Sequence, residues 1–266
     1  MSLRSQRKTR QNNVRMEIEE PNLPGPSQSR RTQEASQRHR QEEVIPSQSA
    51  GSLSDIELEA LAGVVIRYIL AADRLKIPVT SANIKKNALP DHGSHYKSVM
   101  GKVRSKLHTI FGMTLVDAGS GVGKQILINN HHNPGLIYPE NERGETVLLF
   151  LCLAHIFMAG GSCTTYDLSA FLQEAGIPDD RRHEYFGNIP DLINNKFIHQ
   201  LYLQKSKVSN NEASIEEYKW GSRAEKEIDK GQVLEFVAMV HKRPATSWPA
   251  QYRIVTQDDQ GDEDDS

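Results

Sequence analysis

The sequence predicts a mostly helical protein with two small β-hairpins, arranged as two tandem winged-helix domains between disordered tails. Two observations indicate this fold. Three helical segments precede a pair of short apolar strands joined by a glycine-rich turn, and a similar order of segments follows a second time. Three helices followed by a β-hairpin is the order of a winged helix-turn-helix domain.

The first domain, domain A, is predicted over residues 53–132. Ser54 is a plausible cap for a first helix, which carries apolar residues at spacings of three and four as far as Asp73. Pro78 then stops helix propagation. The apolar stripe of the third helix is formed by Val99, Val103, Leu107 and Ile110. The predicted helices cover residues 55–73, 81–87 and 95–111, and the predicted strands cover residues 113–117 and 125–129.

The second domain, domain B, is predicted over residues 142–255, after a linker at residues 133–141. Its first helix is strongly apolar and is closed by Gly160 and Gly161. Two strands, 197–204 and 215–220, are predicted on either side of a polar loop, 205–214. The remaining predicted helices cover residues 147–158, 165–174, 190–195, 223–229 and 233–241.

The two tails are predicted to be disordered. Residues 1–52 are rich in Arg, Gln, Ser, Pro and Glu, and residues 256–266 form an acidic tail. Such segments cannot bury enough apolar surface to offset chain entropy. The cations that open the first tail, Arg4, Arg7, Lys8 and Arg10, fit either a nuclear-import or phosphate-contacting tract, or an ordinary solvated tail.

The charge distribution indicates a basic patch inside domain A. The formal net charge of the whole chain is only −2, but six cations and one acid lie between Lys85 and Lys106. In a winged helix the third helix can enter the major groove of DNA, and the wing can contact the backbone beside it. Our candidate DNA contacts, expected to be independent of base sequence, are Lys97, Lys102, Arg104, Lys106 and, at the tip of the wing, Lys124. The alternative is a solvated basic face on a domain that contacts proteins.

The sequence favours a protein without catalysis, metal or cofactor. The glycine-rich run at residues 119–124 lacks both the first Gly and the final Ser or Thr of a phosphate-binding loop, and strands flank it on both sides, so a hairpin turn explains it better. The histidines His92, His95, His131 and His132 lack the Cys or acidic partners of a metal site.

The cysteines and the hydropathy indicate a soluble protein of a reducing compartment. Cys152 and Cys163 fit neither a disulfide framework nor a zinc site, and both thiols are expected to be packed. No window reaches ~18 uninterrupted apolar residues, so no membrane span is expected. The amino terminus lacks the apolar stretch of a signal peptide.

Several blocks of the chain, in order, resemble the melanoma-antigen (MAGE) homology domain. The closest block is Glu217-Tyr-Lys-Trp-Gly-Ser-Arg-Ala224, which resembles the Trp-Gly-x-Arg-Ala block of that family. The resemblance spans about residues 54–255. The other blocks are Lys76-Ile-Pro-Val-Thr80, Glu184-Tyr-Phe-Gly187, Ile189-Pro-Asp-Leu-Ile193, Phe197-Ile-His-Gln-Leu-Tyr-Leu203, Val233-Leu-Glu-Phe-Val-Ala238 and Trp248-Pro-Ala-Gln-Tyr-Arg253.

The resemblance implies a function in protein assembly. It implies two tandem winged helices that bind a RING-type ubiquitin ligase subunit, and the two apolar residues late in the first helix that the family uses for this contact correspond to Ile69 and Leu70. The last block is most similar to the branch of the family that serves as a non-SMC element of the SMC five/six complex. That branch implies a kleisin partner, SMC proteins through the complex, DNA, a nuclear location and a role in recombinational DNA repair.

Two other functions remain open at this point. A MAGE protein can direct a free RING ubiquitin ligase to its substrates outside any SMC complex. A winged-helix transcription regulator would instead prefer one DNA sequence, although Arg104 is the only arginine on the third helix that could read bases in a bidentate way.

Overall fold

The computed structural model describes residues 53–119, 123–130, 140–178, 181–210 and 213–261. The predicted amino-terminal tail, His131 and His132, most of the predicted linker and the last five residues lie outside these ranges. No helix within the described ranges is long and apolar enough to cross a membrane.

Domain A has the chain order of a winged helix. Its three-stranded antiparallel sheet has the order β1-β3-β2, so the short strand after the first helix completes the sheet of the hairpin. The elements are α1 (Asp55–Arg74), β1 (Val79–Thr80), α2 (Ser81–Ala88), α3 (Tyr96–Phe111), β2 (Met113–Asp117) and β3 (Lys124–Asn129).

Local sequence signals fix the ends of these helices. Ser54 and Glu57 form a capping box that satisfies backbone donors at the start of α1. The Thr80 side chain accepts a hydrogen bond from the Asn83 amide at the start of α2. Gly112 ends α3 in the left-handed region, with φ of 61°, where glycine carries no Cβ penalty. The third-helix prediction is thus confirmed to within one residue.

The core of domain A lies between its helices and its sheet. It is apolar throughout, and the part of α3 that contributes to it ends at Leu107. Ile110, which we predicted to extend this stripe, is exposed in the last turn of the helix. The buried core residues are Ala62, Val65, Ile66, Ile69, Val79, Ile84, Ala88, Leu89, Val99, Met100, Val103, Leu107, Leu115 and Leu127.

The described ends of the glycine-rich run, Gly119 and Gly123, lie between the paired strands β2 and β3, as the hairpin prediction expects. Gly119 and Gly123 have φ of 67° and 58°, values that L side chains rarely adopt. Antiparallel strands flank the run, with Asp117 opposite Gln125. A phosphate-binding loop would instead lead into a helix N-terminus, so the geometry here is that of a wing.

Domain B repeats the winged-helix order and extends it. Its three-stranded sheet has the order β4-β8-β7, again with a short strand after the first helix pairing the hairpin, and a separate small hairpin joins β5 and β6. The elements are α4 (Glu140–Met158), β4 (Ser162–Thr164), α5 (Thr165–Glu174), β5 (Arg182–His183), β6 (Gly187–Asn188), α6 (Ile189–Asp191), α7 (Phe197–His199), β7 (Leu203–Asn210), β8 (Ala213–Trp220), α8 (Ala224–Glu227), α9 (Lys230–His241) and α10 (Pro249–Gly261).

The structure corrects two details of the prediction for domain B. Residues 197–199 are helical rather than extended, because a π-helical turn at Leu192–Lys196 carries the helix of α6 on into α7. Leu201, with φ of 65°, then redirects the chain into β7. Most of the predicted polar loop is strand, since β7 runs to Asn210 and β8 begins at Ala213. The wing of domain B is therefore longer than predicted.

The boundaries of domain B also differ from those predicted. Helix α4 begins at Glu140, inside the predicted linker. Helix α10 was not predicted and runs to Gly261, into the segment that we expected to be a disordered acidic tail. Pro249 stands at its first position, where a missing amide donor costs nothing. The Gln251 side chain donates to the carbonyl of Met158 at 3.0 Å, which ties α10 to the end of α4.

Candidate DNA and partner surfaces

The candidate DNA contacts lie on α3 and at the start of β3, in different environments. Lys97 is exposed and makes no ion pair within the described part of the chain. Arg104 is also exposed, but its guanidinium donates to the carbonyl of Leu115 at 2.7 Å, which ties α3 to strand β2 of the wing. Lys124 lies half-buried at the start of β3. All of these cations lie in domain A, but among them only Lys97 has its charged group fully available for a phosphate contact.

The remaining two lysines of this group are paired with carboxylates of α1. Lys102 lies 2.7 Å from Asp55 and 3.0 Å from Glu59, and Lys106 lies 2.5 Å from the other oxygen of Glu59. Hydrogen bonds from Lys106 and then Lys102 lower the pKa of the Glu59 carboxyl. Hydrogen bonds to Asp55 and then Glu59 raise the pKa of the Lys102 amine. Two of the predicted phosphate contacts are therefore occupied by anions of the same domain.

Sequence reasoning missed these acidic partners, although a signal was present. Asp55 and Glu59 stand four residues apart on α1, and Lys102 and Lys106 stand four residues apart on α3. Such pairs occupy one face of a helix. Matching pairs of opposite charge on two helices that pack together indicate a ladder of ion pairs.

The two predicted RING contacts of α1 differ in accessibility. Ile69 is 1% exposed and belongs to the core of domain A, whereas Leu70 is half-buried and packs against the outside of that core. Tyr68, beside them, accepts a hydrogen bond from Asn87 at 3.2 Å through its hydroxyl. Leu70 is therefore the member of the pair with side-chain surface for a partner, while Ile69 sets the position of the helix.

Both cysteines are packed, as the sequence indicated. Burial raises the pKa of the Cys152 thiol to about 12 and that of the Cys163 thiol to about 11. Neither sulfur is thus a thiolate at neutral pH, the form that a nucleophile or a metal ligand requires. Within the described ranges, the His, Cys, Asp and Glu side chains form no group of three or more that could hold a metal ion.

Domain B carries an open groove beside α5. The groove, of about 440 Å³, is lined by His155, Cys163, Asp167 and Phe171 among others. The imidazole of His155 stacks on Phe171 with ring centroids 4.3 Å apart, and its Nε2 is buried without a hydrogen-bond partner in the described structure. Burial lowers the pKa of this imidazole. Beside this aromatic pair, the lining includes polar side chains such as Ser162, Asp167 and Glu174.

Two winged helices in one chain, with cations on the third helix of the first, define a tandem winged-helix protein. The chain belongs to the MAGE homology domain family, whose pattern matches residues 65–126 and 122–231.

Relatives in two branches of this family resemble the chain. The human "non-structural maintenance of chromosomes element 3 homolog" is 30% identical over 213 residues, which is 77% of this chain and 68% of that protein. The mouse protein of the same name is 29% identical over 86% of this chain and 82% of its own length. Human "melanoma-associated antigen D2" is 27% identical over 76% of this chain, but only 34% of that protein is covered.

A solved structure has the same fold. A chain of the "Nse1-Nse3-Nse4 complex" superposes with a TM-score of 0.70 at 26% identity, covering 77% of this chain and the whole of that one. The predicted family and the predicted fold class of two winged helices are both confirmed.

Proposed function

We propose that this protein is a non-catalytic subunit of an SMC five/six complex, in which it binds a RING-type ubiquitin ligase subunit, a kleisin and DNA in the nucleus during recombinational repair. The observation that carries the proposal is the likeness to a chain of the Nse1-Nse3-Nse4 complex, which this chain covers over its entire length. The human and mouse relatives named for chromosome maintenance support the same assignment. The buried, protonated thiols support a role without nucleophilic catalysis.

The test of this assignment is co-purification of the tagged full chain from nuclear extract at moderate salt, read by quantitative mass spectrometry. The proposal expects a kleisin, a RING subunit and SMC proteins in comparable amounts. Recovery of a RING ligase without the other two would contradict it and favour an adaptor of a free ligase. The likeness to melanoma-associated antigen D2 is the observation that supports this second function.

The RING contact is proposed at the end of α1, centred on Leu70 with Ile69 behind it. Leu70→Asp places a charge on a half-buried surface outside the core, so domain A is expected to stay folded while RING binding is lost. Ile110→Asp is the matched control, because Ile110 is an exposed apolar residue of the same domain on a different helix. Equal RING affinity of the two variants in a pull-down would place the contact elsewhere.

The DNA contact is proposed on α3 and the wing, through phosphates and without base preference. Each lost phosphate contact should reduce the slope of log K against log salt by about 0.9. The combined variant Lys97→Gln, Lys102→Gln and Lys106→Gln should therefore lower the slope by roughly 0.9 for the unpaired Lys97, and by more where DNA phosphates displace the carboxylates that hold Lys102 and Lys106. A control with Lys226→Gln and Lys242→Gln changes exposed lysines of domain B. If the triple variant keeps the wild-type slope, α3 is not part of the DNA interface.

A further inference from the structure

The contact between the two domains is built around a buried arginine. Arg223 follows the β7–β8 wing of domain B and is 0% exposed, which is unusual for a residue that always carries a charge. Its guanidinium lies where domain B meets the loop after α1 of domain A. No function proposed above uses this residue.

The guanidinium makes hydrogen bonds to both domains. Within domain B its Nε donates to the carbonyl of Gln200 at 2.9 Å and its Nη1 donates to Glu227 at 2.9 Å. Toward domain A it donates to Asp73, with Nη1 and Oδ1 3.4 Å apart. The same fork reaches two backbone carbonyls of domain A, those of Lys76 at 3.3 Å and Leu127 at 3.4 Å. One side chain thus contacts the end of α1, the loop after it and strand β3.

Side chains of both domains add further contacts at the loop after α1. The Gln200 amide donates to the carbonyl of Leu75 at 3.0 Å, and the Lys76 amine lies 3.4 Å from both Asp73 and Glu227. Tyr202 donates to the second oxygen of Glu227 at 2.5 Å. The two cations and two carboxylates balance, so the buried charge of Arg223 is compensated by groups drawn from both domains.

The backbone on each side is shaped to this contact. Lys76 has φ of 55° and Leu201 has φ of 65°, and both lie in the left-handed region that side chains other than glycine rarely occupy. Gly221 approaches the Leu201 carbonyl so closely that a Cβ would lie 2.2 Å from its oxygen. Such positions persist where the surrounding structure over-determines them. The conformations of Lys76 and Leu201 direct carbonyl groups of the loop after α1 and of the loop before β7 toward Arg223.

We propose that Arg223 is an interdomain latch, a positioning residue that fixes the angle between domain A and domain B. A charged network that spans an interface adds little net stability, because desolvation offsets the attraction, but it specifies one geometry among several. The latch rests on geometry alone and does not depend on which partners the protein binds. The arginine of the Trp-Gly-Ser-Arg block thus has the role of setting the orientation of the two domains.

The test is the distance between the domains, measured by double electron-electron resonance on the full chain. Spin labels on Ser98→Cys of α3 and Gln204→Cys of β7 report on one domain each, since both positions are exposed. The native thiols of Cys152 and Cys163 are buried and protonated, so they stay unlabelled in the native protein.

The primary variant is Arg223→Lys, which keeps the charge but loses the guanidinium fork that reaches five acceptors. The latch predicts a broadened or displaced distance distribution in place of a single narrow one, while the circular dichroism spectrum is kept. Arg74→Ala is the matched control, because this exposed cation stands one residue from Asp73 and makes no hydrogen bond or ion pair with domain B among the described residues. It should leave the distribution unchanged.

A second variant keeps the test decisive if Arg223→Lys fails to fold. Asp73→Ala with Lys76→Ala removes the domain A side of the charged network and leaves the apolar core of domain A intact. The latch predicts a broadened distribution here as well. A folded variant of either kind with the wild-type distribution would overturn the proposal.

Discussion

Replacing Glu59 with glutamine should strengthen DNA binding by α3. The carboxylate of Glu59 holds Lys102 at 3.0 Å and Lys106 at 2.5 Å, so both amines are engaged before any phosphate arrives. A neutral amide cannot form these ion pairs and leaves Lys106 without its carboxylate. The substitution also removes a negative charge that would repel the DNA backbone.

The size of the effect follows from the number of freed contacts. An ion pair between solvent-exposed side chains is weak in water, so the release of one amine should change the affinity by less than about tenfold. We therefore expect affinity for a short duplex to rise by roughly fivefold at low salt. Asp55 still holds Lys102 at 2.7 Å, so only Lys106 is freed for a phosphate, and the slope of log K against log salt should steepen by up to roughly 0.9.

Fluorescence anisotropy with a labelled duplex, titrated at several salt concentrations, measures both quantities. Glu225→Gln is the matched control: it changes the net charge equally and also breaks an ion pair, with Lys230 at 2.9 Å, but lies in domain B. If Glu59→Gln and Glu225→Gln give the same affinity and slope, the ion-pair ladder does not restrain a DNA-binding surface.

Two further predictions concern the packing of domain B. Gly221→Ala should lower the free energy of unfolding by about 1–3 kcal/mol in urea denaturation, since the new Cβ would overlap the Leu201 carbonyl. The control, Gly101→Ala on an open helical surface, should leave the free energy of unfolding equal or higher. If both variants lose the same free energy of unfolding, the steric reasoning is wrong. Native protein at pH 8 should not react with a maleimide, because burial keeps Cys152 and Cys163 protonated with pKa values of about 12 and about 11. Rapid labelling of the folded protein would show that a thiol is exposed.

Periodicity and capping predicted most of domain A. Its helices have one apolar face each, and Ser54, Thr80 and Gly112 mark ends that local chemistry determines. These signals depend on residues within one or two turns of each other. They are therefore readable in a single sequence, and the three helices and the two hairpin strands of domain A were predicted to within a few residues. The two-residue strand β1, which depends on pairing with the distant β3, was not predicted.

Domain B was harder to predict because its structure depends on contacts between distant residues. The alternating pattern of residues 197–204 is typical of a strand, but Leu201 in the left-handed region divides it into a helix end and a strand start. The polar residues of the wing become strand because β7 and β8 pair along their full length, from Leu203 opposite Trp220 to Asn210 opposite Ala213. Neither feature has a local signature.

The candidate surfaces were predicted in part. The sequence indicated where cations cluster on α3, but not that α1 supplies carboxylates to two of them. It also placed Ile69 and Leu70 together, whereas only the fold shows that one of them is buried. Arg223 stood within a recognised block, yet its five acceptors come from both domains, and no spacing rule connects residues 150 positions apart such as Asp73 and Arg223.

The bond from Arg104 to the Leu115 carbonyl bears on the entropy of binding. An exposed arginine normally samples many rotamers, and ordering such a side chain at an interface costs about 0.5–1.5 kcal/mol. Here the 2.7 Å bond to the wing restricts the rotamers before any ligand arrives. It also joins α3 to β2, so helix and wing form one preorganised unit, and the proposed DNA contact would need little further ordering of this side chain.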